Sequence, residues 1–274
     1  MSKILLIDGH SILNRAYYGV PLLTNHEGIH TNAVYGFINI MLKSIEEEEA
    51  DSVAVAFDLK VPTFRHVKYP EYKGNRKPMP EELREQVPLM KDMLKAMNIP
   101  VITLEGFEAD DILGTIAKKA QAVGMEAVIL SGDRDLLQLA DEHIKIRMPK
   151  TSKGKTVIEH YYPDEVINTY GVTPHEYIDA KALMGDTSDN VPGIDGVGEK
   201  TACSLISKYH DIDGVYANRE NIRNAKIRTD IAGKYEQLKF SKWLVTIDIN
   251  APVEFPLRMR KSPKFSLLRP ISSV

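Results

Sequence analysis

The chain has 274 residues and a mass of 30.8 kDa, and 43% of its residues are hydrophobic and 27% charged. This length can bury a large core and suits one large α/β domain or two smaller domains. The single cysteine, Cys203, excludes an intramolecular disulfide and a cysteine-based zinc site, and predicts a reducing compartment. Taken as an average over the chain, the formal net charge of −3 argues against a nucleic-acid-binding protein.

The amino terminus carries no pattern of a targeting or membrane segment. Met1-Ser2-Lys3 leads directly into a short apolar run, and the sequence has no run of eighteen apolar residues. We therefore expect no signal peptide, no membrane span and a cytoplasmic location.

Short apolar runs that end at polar or acidic residues recur in the first half of the chain. They are 3–7 before Asp8, 52–57 before Asp58, 127–130 before Ser131-Gly132-Asp133, and the weaker 100–104 before Glu105-Gly106. Segments with helical periodicity lie between them, at 31–48, 80–97 and 109–123. This alternation predicts an α/β fold with a mostly parallel, doubly wound sheet, in which ligands bind at the carboxyl ends of the strands.

Residues 60–80, here called the basic segment, interrupt this alternation. They hold six lysines and arginines against one acid, Glu71, with Phe64, Tyr69 and Tyr72 interleaved. Their length and polarity predict a functional insertion or a mobile loop. From about residue 172 the apolar runs become short and helical. We therefore predict an α/β domain at 1–172, a smaller helical domain at 173–256, and a basic, poorly ordered tail at 257–274.

Nine acids fall at positions that this fold brings together: Asp8, Asp58, Glu108, Asp110, Asp111, Asp133, Asp135, Asp186 and Asp189. Helix capping or turn formation explains each acid alone. Gathered at one sheet edge, however, they would repel one another unless cations neutralised them. Oxygen ligands without nearby cysteine favour Mg²⁺ or Mn²⁺ over zinc, and a cluster of this size suggests two ions that support phosphoryl transfer.

Seven short motifs then occur in order along the chain: Asp8-Gly9-His10, Phe57-Asp58, Phe64-Arg65-His66, Tyr72-Lys73-Gly74-Asn75-Arg76, Glu108-Ala109-Asp110-Asp111, Gly132-Asp133-Arg134-Asp135 and Gly185-Asp186-Thr187-Ser188-Asp189-Asn190. Each motif is weak alone, but the ordered set is specific. Over roughly residues 1–256 it resembles the 5′-nuclease (flap endonuclease) family, in particular the 5′→3′ exonuclease domain at the amino end of bacterial DNA polymerase I.

The resemblance implies a Mg²⁺-dependent nuclease, with Mn²⁺ as a substitute, that cuts flapped, branched or nicked DNA in replication and repair. It implies that the nine acids form the metal site, and that the catalytic residues are Asp8, Asp58, Asp111, Asp133, Lys73 and Arg76. The cationic residues of the basic segment can hold a phosphodiester, and Tyr72 can stack on an unpaired base. The expected DNA contacts are Arg15, Arg65, Tyr72, Lys73, Arg76, Gly193, Gly196, Gly198, Lys200 and Thr201.

The glycine-rich stretch at 193–202 supplies the last five of these contacts. It is not a P-loop, because Glu199 stands before Lys200-Thr201, and no strand precedes it as a dinucleotide fingerprint requires. Its glycines allow close approach of backbone to phosphate, and a tight turn without a ligand is the alternative. The stretch resembles a helix-hairpin-helix element, which grips duplex phosphates and often uses K⁺. Asp195 departs from this pattern, because an acid there would face phosphate.

Two other functions stay open from the sequence: a PIN-like ribonuclease, and a non-catalytic protein that binds DNA junctions. The hairpin argues against the first and the intact set of acids against the second. We expect a monomer. From the resemblance, a polymerase partner or a lost polymerase domain is a hypothesis. The basic tail leaves open whether the chain is a free-standing nuclease, a fragment or a protein with a divergent terminus. Without the nine acids, 35 basic side chains stand against 29 acidic ones, so the net charge does not exclude DNA.

Overall fold

The computed structural model describes residues 1–152 and 155–256, so the predicted basic tail lies outside the described residues. Within these ranges one six-stranded sheet consists of β1 (Lys3–Asp8), β2 (Ser52–Ala56), β3 (Val101–Ile102), β4 (Glu126–Leu130), β5 (Ile144–Ser152) and β6 (Lys155–Tyr161). The strand order is β3-β2-β1-β4-β5-β6, and only the β5–β6 pair is antiparallel. The predicted mostly parallel α/β sheet is confirmed.

Helices cover both faces of the sheet and continue beyond it. They are α1 (Gly9–Gly19), α2 (Asn32–Glu48), α3 (Phe64–Lys68), α4 (Glu81–Arg84), α5 (Gln86–Ala96), α6 (Ala109–Ala122), α7 (Pro163–Tyr170), α8 (Pro174–Met184), α9 (Glu199–Tyr209), α10 (Ile212–Ala217), α11 (Ala225–Gly233) and α12 (Tyr235–Val245), with 3-10 helices at Arg134–Leu139 and Arg219–Asn221. In the described part of the chain, no helix is both long and apolar enough to cross a bilayer.

Three features of this architecture were not predicted. Helix α1 follows β1 directly, the predicted helix at 80–97 divides into α4 and α5 at Glu85, and the β5–β6 hairpin adds the antiparallel edge. Charged residues such as Lys145 and Arg147 interrupt the apolar pattern of β5, and this is why its sequence does not resemble a buried strand.

Alternation along β1 divides the core between the two faces of the sheet. Ile4 and Leu6 pack with α6 and the helical region, whereas Leu5 and Ile7 pack with α1, α2 and α5. The first of these clusters continues without interruption to Ile206 of α9 and Ile231 of α11. The helical region is therefore packed onto one face of the sheet, beside the carboxyl ends of the strands.

Candidate active site

A cleft of ≈ 1180 Å³ lies at the carboxyl ends of the parallel strands. Parallel pairing of β1 with β2 and β4 brings the ends of these three strands together. Helix α6 and the loop after α8 complete the walls. The cleft is lined by seven of the nine predicted acids, namely Asp8, Asp58, Glu108, Asp110, Asp133, Asp135 and Asp186.

Hydrogen bonds from neighbouring elements fix three of these carboxylates. Asp8 caps α1 by accepting from the Ser11 N–H at 3.0 Å, and its other oxygen accepts from the Ser131 hydroxyl at 2.7 Å. Asp58 accepts from the Ala109 N–H at 2.8 Å, and Asp133 caps the following 3-10 helix. The capping explanation considered from the sequence is correct for Asp8 and Asp133, and these caps also hold the carboxylates at the cleft.

Burial and like charge together make ionisation of several cleft acids unfavourable. Burial raises the pKa of Asp8 to about 6, and the nearby Asp58 and Asp133 add to the effect. Burial and then Asp8, Asp133 and Asp58 raise the pKa of Asp110 well above its usual range. Burial and Asp133 likewise raise the pKa of Asp135 to about 7. Ionisation of Asp8, Asp110 and Asp135 therefore costs free energy unless a further cation enters the cleft.

The donor set fits a hard divalent cation. As the side chains stand, no three His, Cys, Asp or Glu residues in the described ranges form a ready metal-binding group. However, the cleft supplies carboxylate oxygens without cysteine, and the Asp110 carboxylate accepts no hydrogen bond from the described residues. A cation would offset the burial and the like charge that raise the pKa values of Asp8 and Asp110. These residues therefore fit Mg²⁺ or Mn²⁺.

Lys181 is a residue of the cleft that the sequence analysis missed. Its Nζ lies 2.6 Å from Asp135 Oδ1 and 2.6 Å from Asp186 Oδ2, and the side chain is buried. Burial opposes ionisation of Asp186, but Lys181 and hydrogen bonds from Ser188 lower its pKa to about 2. The only sequence signal is a lysine five residues before Asp186 in a helix, which does not distinguish this role from an ordinary surface lysine.

Asp111 lies outside the cleft, which corrects its assignment as a metal ligand and catalytic residue. The side chain is fully buried, and Arg65 binds it bidentately at 2.8 and 2.9 Å. The backbone N–H groups of Glu108 and Asp248 donate to the same carboxylate at 3.0 and 2.8 Å. Both oxygens are thus occupied by protein donors, so Asp111 holds the structure together rather than facing a metal.

Arg65 is also misassigned as a DNA contact. It is 2% exposed, and besides Asp111 it donates to the carbonyls of Leu244 and Thr246 at 2.8 and 2.7 Å. It therefore fastens the basic segment to α6 and to the end of α12. The Arg65 guanidinium is therefore paired inside the protein. In the sequence, nothing distinguishes it from the other five lysines and arginines of the basic segment.

Asp189 and Tyr72 form a second internal anchor for the basic segment. Tyr72 is buried and donates to Glu108 and Asp189 at 3.1 Å each, so it cannot stack on a base as predicted. Asp189, assigned from the resemblance to the metal site, also pairs with Arg76 and lies 3.6 Å from Lys73 Nζ. It is a counter-ion for the basic segment and does not line the cleft.

Lys73 and Arg76 line the cleft as predicted. Lys73 Nζ lies 2.5 Å from Glu108 Oε1, and its backbone adopts a left-handed φ of 58°. The Lys73 N–H donates to the Asp189 carbonyl at 2.9 Å, and Asn75 donates to the Thr187 carbonyl at 2.6 Å. These contacts hold this part of the basic segment against the loop after α8.

The glycine hairpin connects α8 to α9, as expected for a helix-hairpin-helix element. A Cβ on Gly193 would lie 2.4 Å from the Gly185 nitrogen, so packing alone requires glycine there. Gly196 has a φ of +81°, and a Cβ there or on Gly198 would meet no atom within 4 Å. Lys200 and Thr201 are exposed at the start of α9. This side of the hairpin is open to a ligand.

Arg15 lies on α1, beside the cleft. It lines a smaller pocket together with Ser11 and Asn14, which also line the cleft. Its role as a DNA contact stays a prediction.

Family models match nearly the whole chain. The 5′-3′ exonuclease N-terminal resolvase-like domain matches residues 3–171, and the 5′-3′ exonuclease C-terminal SAM fold matches residues 172–266. The chain belongs to the 5′-3′ exonuclease family. Among curated relatives of this exonuclease-family chain, DNA polymerase I of Bacillus caldotenax is 46% identical over 255 residues, and that of Bacillus subtilis 44% over 252. The matches cover 93% and 92% of this chain but only 29% and 28% of those proteins.

Solved structures share the fold of this exonuclease-family chain. A zinc-bound T5 5′-exonuclease superposes with a TM-score of 0.73 at 22% identity, covering 90% of each chain. A bacteriophage T5 D15 flap endonuclease with DNA and metal ions gives 0.71 at 22% identity, covering 90% of this chain and 89% of that one. The catalytic core of Rad2 with DNA substrate gives 0.57 at 18%, covering 92% and 80%. The family and fold inferred from the motifs are confirmed.

Adjacent substitutions at Asp110 and Asp111 should have opposite effects on stability. Asp111→Asn removes the bidentate anion of the buried Arg65 guanidinium, which keeps only Glu108 as a counter-ion at 3.0 Å, and should lower the free energy of unfolding by about 3 kcal/mol. Asp110→Asn removes a half-buried acid that its neighbours repel, so the melting temperature in EDTA at pH 8 should rise by a few degrees. Calorimetry of both variants checks this. An Asp111→Asn protein as stable as the wild type would contradict the assignment.

Stability without metal should fall as the pH rises. Unfolded aspartates ionise near pH 4, whereas Asp8 and Asp135 keep protons in the folded protein up to about pH 6 and 7. Their contribution to stability is present below pH 4 and lost as the pH rises through those values. In EDTA the melting temperature should drop between pH 5 and pH 8, and Mg²⁺ should raise it more at pH 8. An equal Mg²⁺ effect at both pH values would contradict this.

Proposed function

We propose that this chain is a structure-specific, Mg²⁺-dependent 5′→3′ exonuclease and flap endonuclease. It hydrolyses phosphodiester bonds in 5′ flaps and nicked duplex DNA during replication and repair. One observation carries the proposal: seven carboxylates line the same cleft as Lys73, Arg76 and Lys181. A site for cations therefore lies next to a site for phosphate. Family membership and DNA-bound structures of the same fold support it.

Asp8, Asp58, Asp110, Asp133 and Asp135 are the residues that would hold the ions, with Asp186 and Glu108 beside them. When bound, two ions activate a water and stabilise the departing oxygen of a phosphodiester. The chain itself orients these ligands through the Ser11, Ser131 and Ala109 donors.

Lys73 and Arg76 supply positive charge to the scissile phosphodiester from the side opposite the ions. In this structure Glu108 and Asp189 hold these cations at the cleft. A substrate phosphate can take over the contacts, because both its charge and its hydrogen-bonding capacity resemble those of the carboxylates. The cations then offset charge that develops on the phosphoryl oxygens.

The hairpin at 193–198 holds the duplex by its phosphates, which accounts for recognition of shape rather than sequence. The open backbone around Gly196 and Gly198 would hold K⁺ and approach a phosphate closely. We expect the active species to be a monomer. The matched relatives carry the same region within a DNA polymerase I, so a polymerase is the partner that we propose.

Labelled DNAs with a 5′ flap, a nick or a blunt end, each with and without Mg²⁺, test this function. We expect flap and nicked substrates to be cut only with Mg²⁺, and Asp133→Asn to stop cleavage while DNA binding persists. Lys73→Ala should slow cleavage about 100-fold, in the range for removal of one transition-state donor, and weaken binding much less.

Lys68→Ala is the matched control, because Lys68 is an exposed lysine of the same segment outside the cleft. It should cleave at the wild-type rate.

Faster cleavage of an RNA flap than of a DNA flap would favour the PIN-like ribonuclease. Binding of DNA junctions without cleavage in either Mg²⁺ or Mn²⁺ would favour the non-catalytic protein.

A further inference from the structure

The glycine hairpin carries two acids where a duplex-binding element should be cationic. Each acid is paired with a cation from a different element. Glu199, in the first turn of α9, accepts from Arg134 Nη1 at 2.8 Å, and Asp195 Oδ2 lies 3.5 Å from Lys234 Nζ. Both pairs are at the surface. The acids are therefore neutralised in place by cations that the hairpin itself does not contain.

Arg134 occupies a position between the two parts of the site. It stands between Asp133 and Asp135 at the start of the 3-10 helix, and it lines the carboxylate cleft. Its guanidinium extends to α9, where it meets Glu199. Half of the side chain remains exposed to solvent. One cation thus reaches both the carboxylate cleft and the hairpin.

We propose that Arg134 is a DNA-phosphate contact that Glu199 holds ready, and that the substrate backbone displaces Glu199 when DNA binds. The inference rests on the proposed function, since it assigns a further contact to the same DNA path. Arg134 would fix the distance between the duplex on the hairpin and the bond that enters the cleft.

The physical case is an exchange of anions on one guanidinium. An exposed ion pair such as Arg134–Glu199 is weak because water screens it, so breaking it costs little. A phosphodiester offers two oxygens to the planar guanidinium, and its binding releases counter-ions from DNA. Before DNA arrives, Glu199 keeps Arg134 away from the neighbouring carboxylates. The acid therefore positions the cation but opposes the final complex.

The pair of Asp195 and Lys234 has the same arrangement on the other side of the turn. Lys234 immediately precedes α12, and Gln237 in the first turn of that helix donates to the Gly193 carbonyl of the hairpin at 3.5 Å. This pairing accounts for Asp195, which departs from the pattern of a phosphate-binding hairpin.

The test compares the two partners of the pair, because an exchange and a structural salt bridge predict different signs. Binding of a fluorescein-labelled nicked duplex with a 5′ flap is measured by anisotropy in EDTA over a range of salt. Arg134→Ala should weaken binding about tenfold and reduce the salt slope by about one. Glu199→Gln should bind about two- to fivefold more tightly, by loss of a competing anion. The double variant should resemble Arg134→Ala.

Lys43→Ala is the control for loss of one surface cation. Lys43 is exposed and paired with Glu47 near the end of α2, where the next residue, Glu48, lies 3.9 Å from Lys3 at the amino end of β1. Melting temperatures verify that each variant is folded. Equal weakening by Arg134→Ala and Glu199→Gln would overturn the exchange in favour of a salt bridge, as would wild-type binding by Arg134→Ala. Flap cleavage by the wild-type protein in Mg²⁺ is measured in parallel. If the proposed function is wrong, the wild-type protein does not cleave the flap, whereas failure of the exchange alone leaves this cleavage intact.

Discussion

The crowding of carboxylates in a cleft that removes them partly from water is the constraint on which the rest of this structure depends. Parallel strands deliver Asp8, Asp58 and Asp133 to one sheet edge, and α6 adds Asp110. In water these groups would separate, but here hydrogen bonds and packing hold them close. Loss of contact with water, and then the charge of the neighbouring acids, raises the pKa of Asp8 and of Asp110. A site built this way gains stability from any cation that enters it.

Cations of the chain lie among these acids and pair with some of them. Lys181 stands between Asp135 and Asp186, and Lys73 pairs with Glu108. Two of the nine acids serve the scaffold instead, since Asp111 binds Arg65 and Asp189 binds Arg76. The same residue type therefore ligates or anchors according to the face on which it lies. Asp111 and Asp189 together hold the basic segment at the cleft.

Much of this arrangement follows from the sequence because local rules and the parallel sheet agree. Apolar runs ending in aspartate predict both the strands and the edge where their acids meet. The separate roles of Asp110 and Asp111 depend on tertiary contacts, because neighbouring positions on a helix face different directions. Arg65 and Tyr72 were misassigned for the same reason. Their buried partners lie more than thirty residues away along the chain, and composition carries no trace of them.

In the absence of metal the cleft carboxylates hold protons, and a divalent cation replaces them. Calorimetric titration of the protein with Mg²⁺ at pH 6.5, repeated in buffers of different ionisation enthalpy, counts the protons released. Asp135, whose pKa is raised to about 7, holds its proton on most molecules at this pH, and the pKa of Asp110 is raised as well, so protons should leave when Mg²⁺ binds, and fewer at pH 8.5. Mg²⁺ binding without proton release at pH 6.5 would contradict the account.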